Sequence, residues 1–212
     1  MSKVSDIVAN VLSVVFYPLF IPTYGMGLFC YAYSRQSVLL PPVWMAVAIV
    51  GTFLLTCAIP LSAIWIMIRK GDLKDIQIED MNDRTVPYIY TLFGFACWCY
   101  FLFSIVHAPL SISMVSGGAT AAIGLVALIN RWWKISAHLT GIGGLVGGVM
   151  AYCLGIGTMP TWGVMAMLFG VSIVMMWARL RLNAHTDMQV SAGWLLGLAC
   201  TFIPYFILTY VQ

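Results

Sequence analysis

Two short polar segments interrupt an otherwise apolar chain, and each contains a histidine close to cationic residues. His138 follows Lys134 by four positions, and His185 follows Arg179 by six positions. Polar groups at the depth or edge of a membrane are costly, which suggests that they serve a function. A neutral imidazole can attack phosphorus, and a second imidazole, as imidazolium, can protonate the departing oxygen. The residue types therefore predict phosphate chemistry, with His185 and His138 dividing these two roles.

Cationic side chains near these histidines could bind the phosphoryl group itself. Its three equatorial oxygens need guanidinium or ammonium donors, with backbone amides at a helix N-terminus as further ligands. Arg84, Arg179 and Lys74 are the candidates for this charge. Because these residues lie far apart in the sequence, the fold must bring several loops together.

The composition indicates where such loops would lie. Apolar residues make up 62% of the 212-residue chain, charged residues 8%, and the mean hydropathy is +0.96, far outside the range of soluble proteins. A bilayer crossing takes about 20 residues. We therefore predict one domain, residues 1–212, folded as an all-α polytopic membrane helix bundle with about six or seven transmembrane helices. We expect no nucleic-acid partner.

Seven apolar segments are candidate crossings, namely 7–33, 43–69, 87–107, 111–130, 138–158, 161–178 and 189–210. The polar loops after the second, fourth and sixth segments then emerge on one face of the membrane, and they contain the candidate residues. The first segment contains Pro18 and Pro22, which also allow a re-entrant or interfacial segment. Six crossings would then remain, and the three loops would still face one way.

The distribution of Lys and Arg predicts the orientation. Nine cations lie on the side of the three polar loops, against Arg35 alone on the other side. Four of the nine are candidate phosphate ligands or their neighbours, but the remaining five still outnumber Arg35. By the positive-inside rule this face is cytoplasmic, and we expect a multi-pass protein of the bacterial inner membrane.

Five glycines in one predicted helix indicate close helix packing. They are Gly141, Gly143, Gly144, Gly147 and Gly148. The set includes two Gly-x-x-x-Gly spacings, which are typical of helices whose backbones approach each other closely. We interpret this face as structural.

At these polar residues the chain resembles the type-2 phosphatidic acid phosphatase family. The third motif of that family has an arginine, a histidine six positions later and an aspartate four positions after the histidine. Arg179, His185 and Gln189 match this spacing, with glutamine in place of the aspartate. That substitution is similar to a divergent bacterial branch of the family. The resemblance covers roughly residues 70–200.

The other two motifs of the family match in part. The second motif, Pro-Ser-Gly-His, corresponds to residues 135–138, which keep Ser136 and His138. The first motif has a lysine, six intervening residues and an Arg-Pro pair. Arg84 and Pro87 resemble its end, although two residues separate them, and Lys74 lies three positions earlier than the family's lysine.

The resemblance implies a role for each residue. His185 would be the nucleophile that forms a phosphohistidine, and His138 the general acid for the leaving group. Arg84, Arg179, Ser136 and Lys74 would bind phosphate. Gln189 would use its carbonyl oxygen to fix the tautomer of His185, as the aspartate does but without its charge. The implied function is a lipid phosphatase that needs neither metal nor cofactor and acts on a phosphomonoester or diphosphate of a lipid.

Several alternatives stay open. A catalytically impaired phospholipid-binding protein, flippase or scaffold would keep the cations, although it would have less need of both histidines. A phosphohistidine also permits phosphotransfer to another lipid. Asp80 and Asp83 would offer oxygen ligands for magnesium in a membrane prenyltransferase, but a second aspartate-rich motif is absent from the sequence. The identity of the lipid and the oligomeric state are open as well.

Overall fold

The computed structural model describes residues 3–34, 40–76, 78, 80–155 and 162–211, with no β-strand among them. Their elements are α1 Lys3–Val15, α2 Ile21–Ser34, α3 Pro42–Phe53, a π-helical turn Leu54–Ala58, α4 Ile59–Lys70, a 3-10 turn Asn82–Arg84, α5 Thr85–Tyr100, a π-helical turn Phe101–Ile105, α6 Leu110–Ile129, α7 Ala137–Gly155, α8 Trp162–Arg181 and α9 Asp187–Val211. The prediction of an all-α helix bundle is confirmed.

Within the described ranges, six helical rods are long and apolar enough to cross a bilayer. They are Pro42–Lys70, Asn82–Ile105, Leu110–Ile129, Ala137–Leu154, Trp162–Arg181 and Asp187–Ile207. At 1.5 Å per residue, a rod of about 20 residues matches the roughly 30 Å hydrocarbon core of a membrane. These rods indicate a multi-pass membrane protein.

The first of the seven predicted crossings, residues 7–33, is not one continuous helix in the structure. A turn at residues 16–20 divides it into α1 and α2, of 13 and 14 residues. Each spans only about 20 Å, less than the hydrocarbon core. Pro18 accounts for the break, because it lacks a backbone N–H and disfavours helical geometry at Tyr17. Arg35, the cation expected on the opposite face, lies outside the described residues.

Helix α1 packs against the C-terminal part of α8. Its inner face carries Asp6, Ala9 and Ser13, of which Ala9 and Ser13 are buried. Asp6 forms an ion pair with Arg181, with 2.9 Å between Oδ1 and Nε. The opposite face exposes apolar side chains, namely Val4, Ile7, Val11 and Val14. Helix α1 is therefore amphipathic, with a polar stripe that faces the end of α8.

Helix α7 lies in the centre of the bundle, since 67% of its span is buried. It packs most extensively on α9. A Cβ atom at Gly143 would collide with the Trp194 backbone, and one at Gly197 would collide with the Thr140 backbone. Glycine is needed at both positions because the two helix backbones touch, which agrees with the packing face predicted for α7. The first turns of α7 and α9 therefore lie side by side.

Candidate active site

Three polar connections meet at one end of the bundle, as the topology predicts. The Asn130 side-chain amide, after α6, donates to the carbonyl oxygen of Met81, before α5, at 3.0 Å. The Ser136 amide, before α7, donates to the carbonyl oxygen of Gln189 in α9 at 3.3 Å. The α4–α5, α6–α7 and α8–α9 connections are therefore joined by direct hydrogen bonds.

A helix C-terminus places His185. After α8 ends, the Ala184 amide donates to the Arg179 carbonyl and the Asn183 amide donates to the Leu180 carbonyl. Asn183 has a φ of 51°. This is the Schellman arrangement, in which a left-handed residue stops a helix and reverses the chain. The reversal brings His185 back toward the helix end that carries Arg179.

The hydrogen bonds of His185 define its tautomer. Its Nδ1 donates to the Lys134 carbonyl oxygen at 3.1 Å and lies 3.3 Å from Gln189 Oε1. Both partners are acceptors, so Nδ1 carries the proton and Nε2 keeps the lone pair. The hydrogen bond predicted between Gln189 and His185 is present. Nε2 is thus the nitrogen suited to nucleophilic attack.

Gln189 also belongs to the start of α9. The Thr186 amide donates to Gln189 Oε1 at 3.1 Å, and Asp187 is the first residue of the helix. Thr186 and Gln189 thus occupy the N-cap and N3 positions of a capping box. One carbonyl oxygen therefore serves both the helix start and His185. Asp187 is exposed in the same turn.

His138 is held by a different part of the chain. It lies in the first turn of α7, and its Nε2 donates to the Ser13 carbonyl oxygen at 3.0 Å. The Tyr17 ring meets the imidazole edge to face, with 5.7 Å between centroids. With the proton on Nε2, the neutral ring has its lone pair on Nδ1.

Two buried arginines complete the set. Arg84 ends the 3-10 turn before α5, and its Nε donates to the Ile78 carbonyl oxygen at 2.7 Å. Arg179 lies in the last turn of α8, and its Nη1 donates to Ser13 Oγ at 3.1 Å. Their exposed fractions are 6% and 3%. Each side chain is therefore held in place by a hydrogen bond to a neighbouring segment of the chain.

These four side chains line one cavity, which we call the polar cavity. Arg84, His138, Arg179 and His185 share its wall with Tyr17 and other residues. The volume of the cavity is about 60 Å³, which exceeds the roughly 10–15 Å³ that one water molecule needs. No carboxylate lines it within the described part of the chain. The cavity suits a small anion.

Burial and nearby positive charge keep His185 neutral. Burial, followed by the positive charges of Arg179 and Arg84, lowers the pKa of His185 from 6.5 to about 3, against the raising effect of the hydrogen bond to Lys134. At neutral pH the imidazole is therefore unprotonated at Nε2. An anion bound beside the arginines would offset their charge and favour a cationic imidazole.

Ser136 and Lys74 lie outside the polar cavity. Ser136 is fully buried directly before α7, and its Oγ accepts a hydrogen bond from the Leu139 amide at 3.5 Å. This places it at the N-cap of α7 rather than on the cavity wall. Lys74 is exposed and lines an outer groove with Lys134. Of the predicted phosphate ligands, the structure brings Arg84 and Arg179 together with the histidines.

The acidic stretch before α5 forms local turns beside the same outer groove. Asp75 Oδ1 accepts from the Ile78 amide at 3.1 Å, and Asp80 Oδ1 accepts from the Asn82 amide at 2.8 Å. Asp80 and Asp83 line the outer groove rather than the polar cavity. Among the residues that the structure describes, no three His, Cys, Asp or Glu side chains are grouped as metal ligands would be.

Ser13 and Tyr17 are site residues that the sequence does not reveal by motif. Ser13 contacts both His138 and Arg179, and Tyr17 lines the polar cavity. The available signal is the spacing of Asp6 and Ser13, which are seven residues apart and therefore share a face of a helix. That spacing predicts a polar stripe on α1, but it does not predict which helix the stripe contacts.

The polar cavity thus combines two imidazoles and two guanidinium groups from four separate segments, covered by the N-terminal segment. Comparisons of the chain with protein-family models, with curated proteins and with solved structures give no match in any of the three.

Proposed function

We propose that the protein is an integral membrane lipid phosphatase that works through a phosphohistidine on His185. The observation that carries the proposal is the pairing of a buried, neutral His185, whose Nδ1 is held by carbonyl oxygens, with two buried arginines in the same cavity. Nucleophile and anion-binding groups are the two requirements of phosphoryl transfer to a side chain.

In the first step, His185 Nε2 attacks phosphorus while the bond from phosphorus to the lipid oxygen breaks. Arg84 and Arg179 bind the equatorial oxygens and offset their charge. His138, protonated on both nitrogens when the phosphate is bound, keeps its Nε2 hydrogen bond to Ser13 and gives its Nδ1 proton to the departing oxygen. The products are a lipid alcohol, or a lipid monophosphate from a diphosphate, and phosphohistidine.

In the second step, water attacks phosphorus and the bond to Nε2 breaks. Neutral His138 accepts the proton of the water through Nδ1, which restores it for the next turnover. Inorganic phosphate leaves and His185 is regenerated. The carbonyl oxygens of Lys134 and Gln189 stabilise the positive charge on the phosphorylated ring through Nδ1–H. Water can be replaced by another lipid hydroxyl, which would give phosphotransfer instead.

The lipid nature of the substrate is supported by the position of the polar cavity. It lies where three loops meet at one end of six apolar rods, so a head group can reach the arginines while the hydrocarbon stays among apolar side chains. The excess of Lys and Arg on this end supports a cytoplasmic active-site face. The corresponding location is the inner membrane of a bacterium.

The test is phosphate release by the purified protein in detergent, with a chelator present, across a panel of phosphorylated lipids. We expect His185→Ala to lower release by on the order of 10³-fold or more, because the nucleophile is lost. His107→Ala is the matched control, since His107 is exposed at the other end of the bundle. Equal release by wild type and His185→Ala would contradict the mechanism.

A protein that binds the lipids and releases no phosphate would instead be a catalytically impaired lipid-binding protein. The role of Gln189 in capping α9 would then be enough to explain a glutamine at this position.

A further inference from the structure

A second cavity lies inside the membrane-spanning part of the bundle, and we call it the apolar cavity. It is lined by α2, α5, α6 and α7 with Thr201 of α9, and its lining is almost entirely apolar. The threonines in the lining use their hydroxyl hydrogens within the bundle: Thr91 donates to Pro87, Thr140 to Ser136 and Thr201 to Gly144. The wall therefore offers carbon surface and little hydrogen bonding.

The apolar cavity adjoins the polar cavity. Five residues line both: Pro18, Leu19, Thr91, Ile123 and Ala137. They come from the N-terminal turn and from three different helices, so they surround the junction from several sides. If a substrate places its phosphate beside the arginines, the atoms attached to that phosphate lie at this junction.

The apolar cavity extends about half-way across a membrane. Along α5 it reaches Trp98, which lies 14 residues beyond Arg84, or about 21 Å. Along α7 it reaches Gly148, ten residues beyond His138, or about 15 Å. One leaflet is about half of the roughly 30 Å hydrocarbon core. The depth therefore matches the reach of a lipid tail that begins at the polar cavity.

The width of the apolar cavity fits one chain. Its volume is about 80 Å³, which is small for a cavity that extends about 15–21 Å along its helices. The space is therefore narrow, and it suits one hydrocarbon chain better than two side by side. Small residues supply it, since Ala119, Ala122, Gly141 and Gly144 all line the cavity.

We propose that the apolar cavity binds a single hydrocarbon chain of the phosphorylated substrate, so that the preferred substrates are single-chain lipid phosphates. This inference rests on the proposed function for the position of the phosphate. A second chain, when the lipid has one, stays outside the bundle and adds little to recognition. The tail in the apolar cavity then positions the phosphorus atom against His185.

The first experiment measures the ratio of kcat/KM for hexadecyl phosphate to that for butyl phosphate. Ala122→Phe fills the apolar cavity, and its matched control is Ala121→Phe on the adjacent, exposed position of α6. We expect Ala122→Phe to lower the ratio by about tenfold for every two methylene groups displaced, and Ala121→Phe to leave the ratio unchanged. The same ratio in both variants would overturn the tail site.

A second measurement detects the tail without turnover. Trp98 is buried and lines the apolar cavity, so a hexadecyl phosphate with bromine on its terminal carbon should quench its fluorescence. The His185→Ala variant keeps the probe intact, and Trp98→Phe in the same background gives the signal of the remaining tryptophans. We expect quenching that Trp98→Phe removes.

The two measurements separate the tail site from the catalytic proposal. Quenching of Trp98 in a protein that releases no phosphate from any lipid would uphold the tail site and overturn the phosphatase. Phosphate release without quenching would do the reverse. A second hydrocarbon chain can be added to the same phosphate as a further test. If kcat/KM of the wild type then doubled or more, the preference for one chain would be overturned.

Discussion

His138 and His185 occupy equivalent places and are held in different ways. Each lies at the start of a helix, donates one ring hydrogen to a backbone carbonyl and lines the polar cavity. His185 is held by the α6–α7 connection and by Gln189 of its own following helix. His138 is held by Ser13 and Tyr17, which belong to the N-terminal segment.

The difference indicates that the two histidines, which we propose as nucleophile and general acid, depend on separate structural units. The support of His185 comes from the start of α9, which packs on α7 through glycines. The support of His138 depends on α1, which is attached to α8 through the Asp6–Arg181 ion pair and the Ser13–Arg179 hydrogen bond. Each of the following tests changes one of the two histidines or its support.

His138→Ala tests the role of the acid and should have the largest effect of these three. We expect kcat for an alkyl phosphate to fall by about 10²–10⁴-fold, the usual contribution of a general acid. With nitrophenyl phosphate the loss should be smaller, because nitrophenolate leaves without protonation. Steady-state kinetics with both substrates measure the difference. An equal loss with the two leaving groups would mean that His138 has only a structural role.

Gln189→Ala tests the unit that holds His185. It removes the capping oxygen and one acceptor of Nδ1–H, so we expect a loss of about 1 kcal/mol in stability and a lower kcat. Gln189→Glu keeps an acceptor at the same reach and adds a charge that stabilises the imidazolium, so kcat should be kept or raised. Thermal unfolding and kinetics of both variants provide the measurement. A kcat for Gln189→Glu as low as that for Gln189→Ala would contradict this role.

Acidification tests the buried neutral state of His185. The folded pKa of about 3 lies below the unfolded value of 6.5, so the unfolded chain binds more protons. This contribution to stability is complete above pH 6.5 and is lost as the pH falls toward 3. Between pH 7 and pH 5 the free energy of unfolding should drop by roughly 2 kcal/mol more in wild type than in His185→Gln. Identical pH dependence in the two proteins would show that His185 is not buried as a neutral group.

The sequence predicts those features that depend on local spacing or on topology. The apolar spans are long enough to be identified by composition, and alternation of crossings places the three polar loops on one face. The contact of Gln189 with His185 follows from a separation of four residues at a helix start. These features need no knowledge of which helices pack together.

The features that the sequence does not predict depend on distant packing. The hydrogen bond between Ser13 and His138 joins residues 125 positions apart, and neither residue type nor spacing specifies that pair. Ser136 matches a motif position, but the start of α7 uses its hydroxyl as a cap. The break at residues 16–20 depends on Pro18. A proline can either kink a helix or end it, and the sequence does not specify which.

The backbone contact between α7 and α9 has a kinetic consequence for lipid entry. Separation of these helices would break contacts that glycine alone permits at Gly143 and Gly197, so the two helix starts that bear the histidines form a fixed frame. The turn at residues 16–20 lies on another side, where Pro18 and Leu19 line both cavities, so we expect lipid entry to displace this N-terminal segment rather than the α7–α9 pair. We expect amide hydrogen exchange to be faster in residues 3–20 than in the α7–α9 pair. The rate of substrate entry would then be set by the N-terminal segment, while the geometry of the chemical step stays constant.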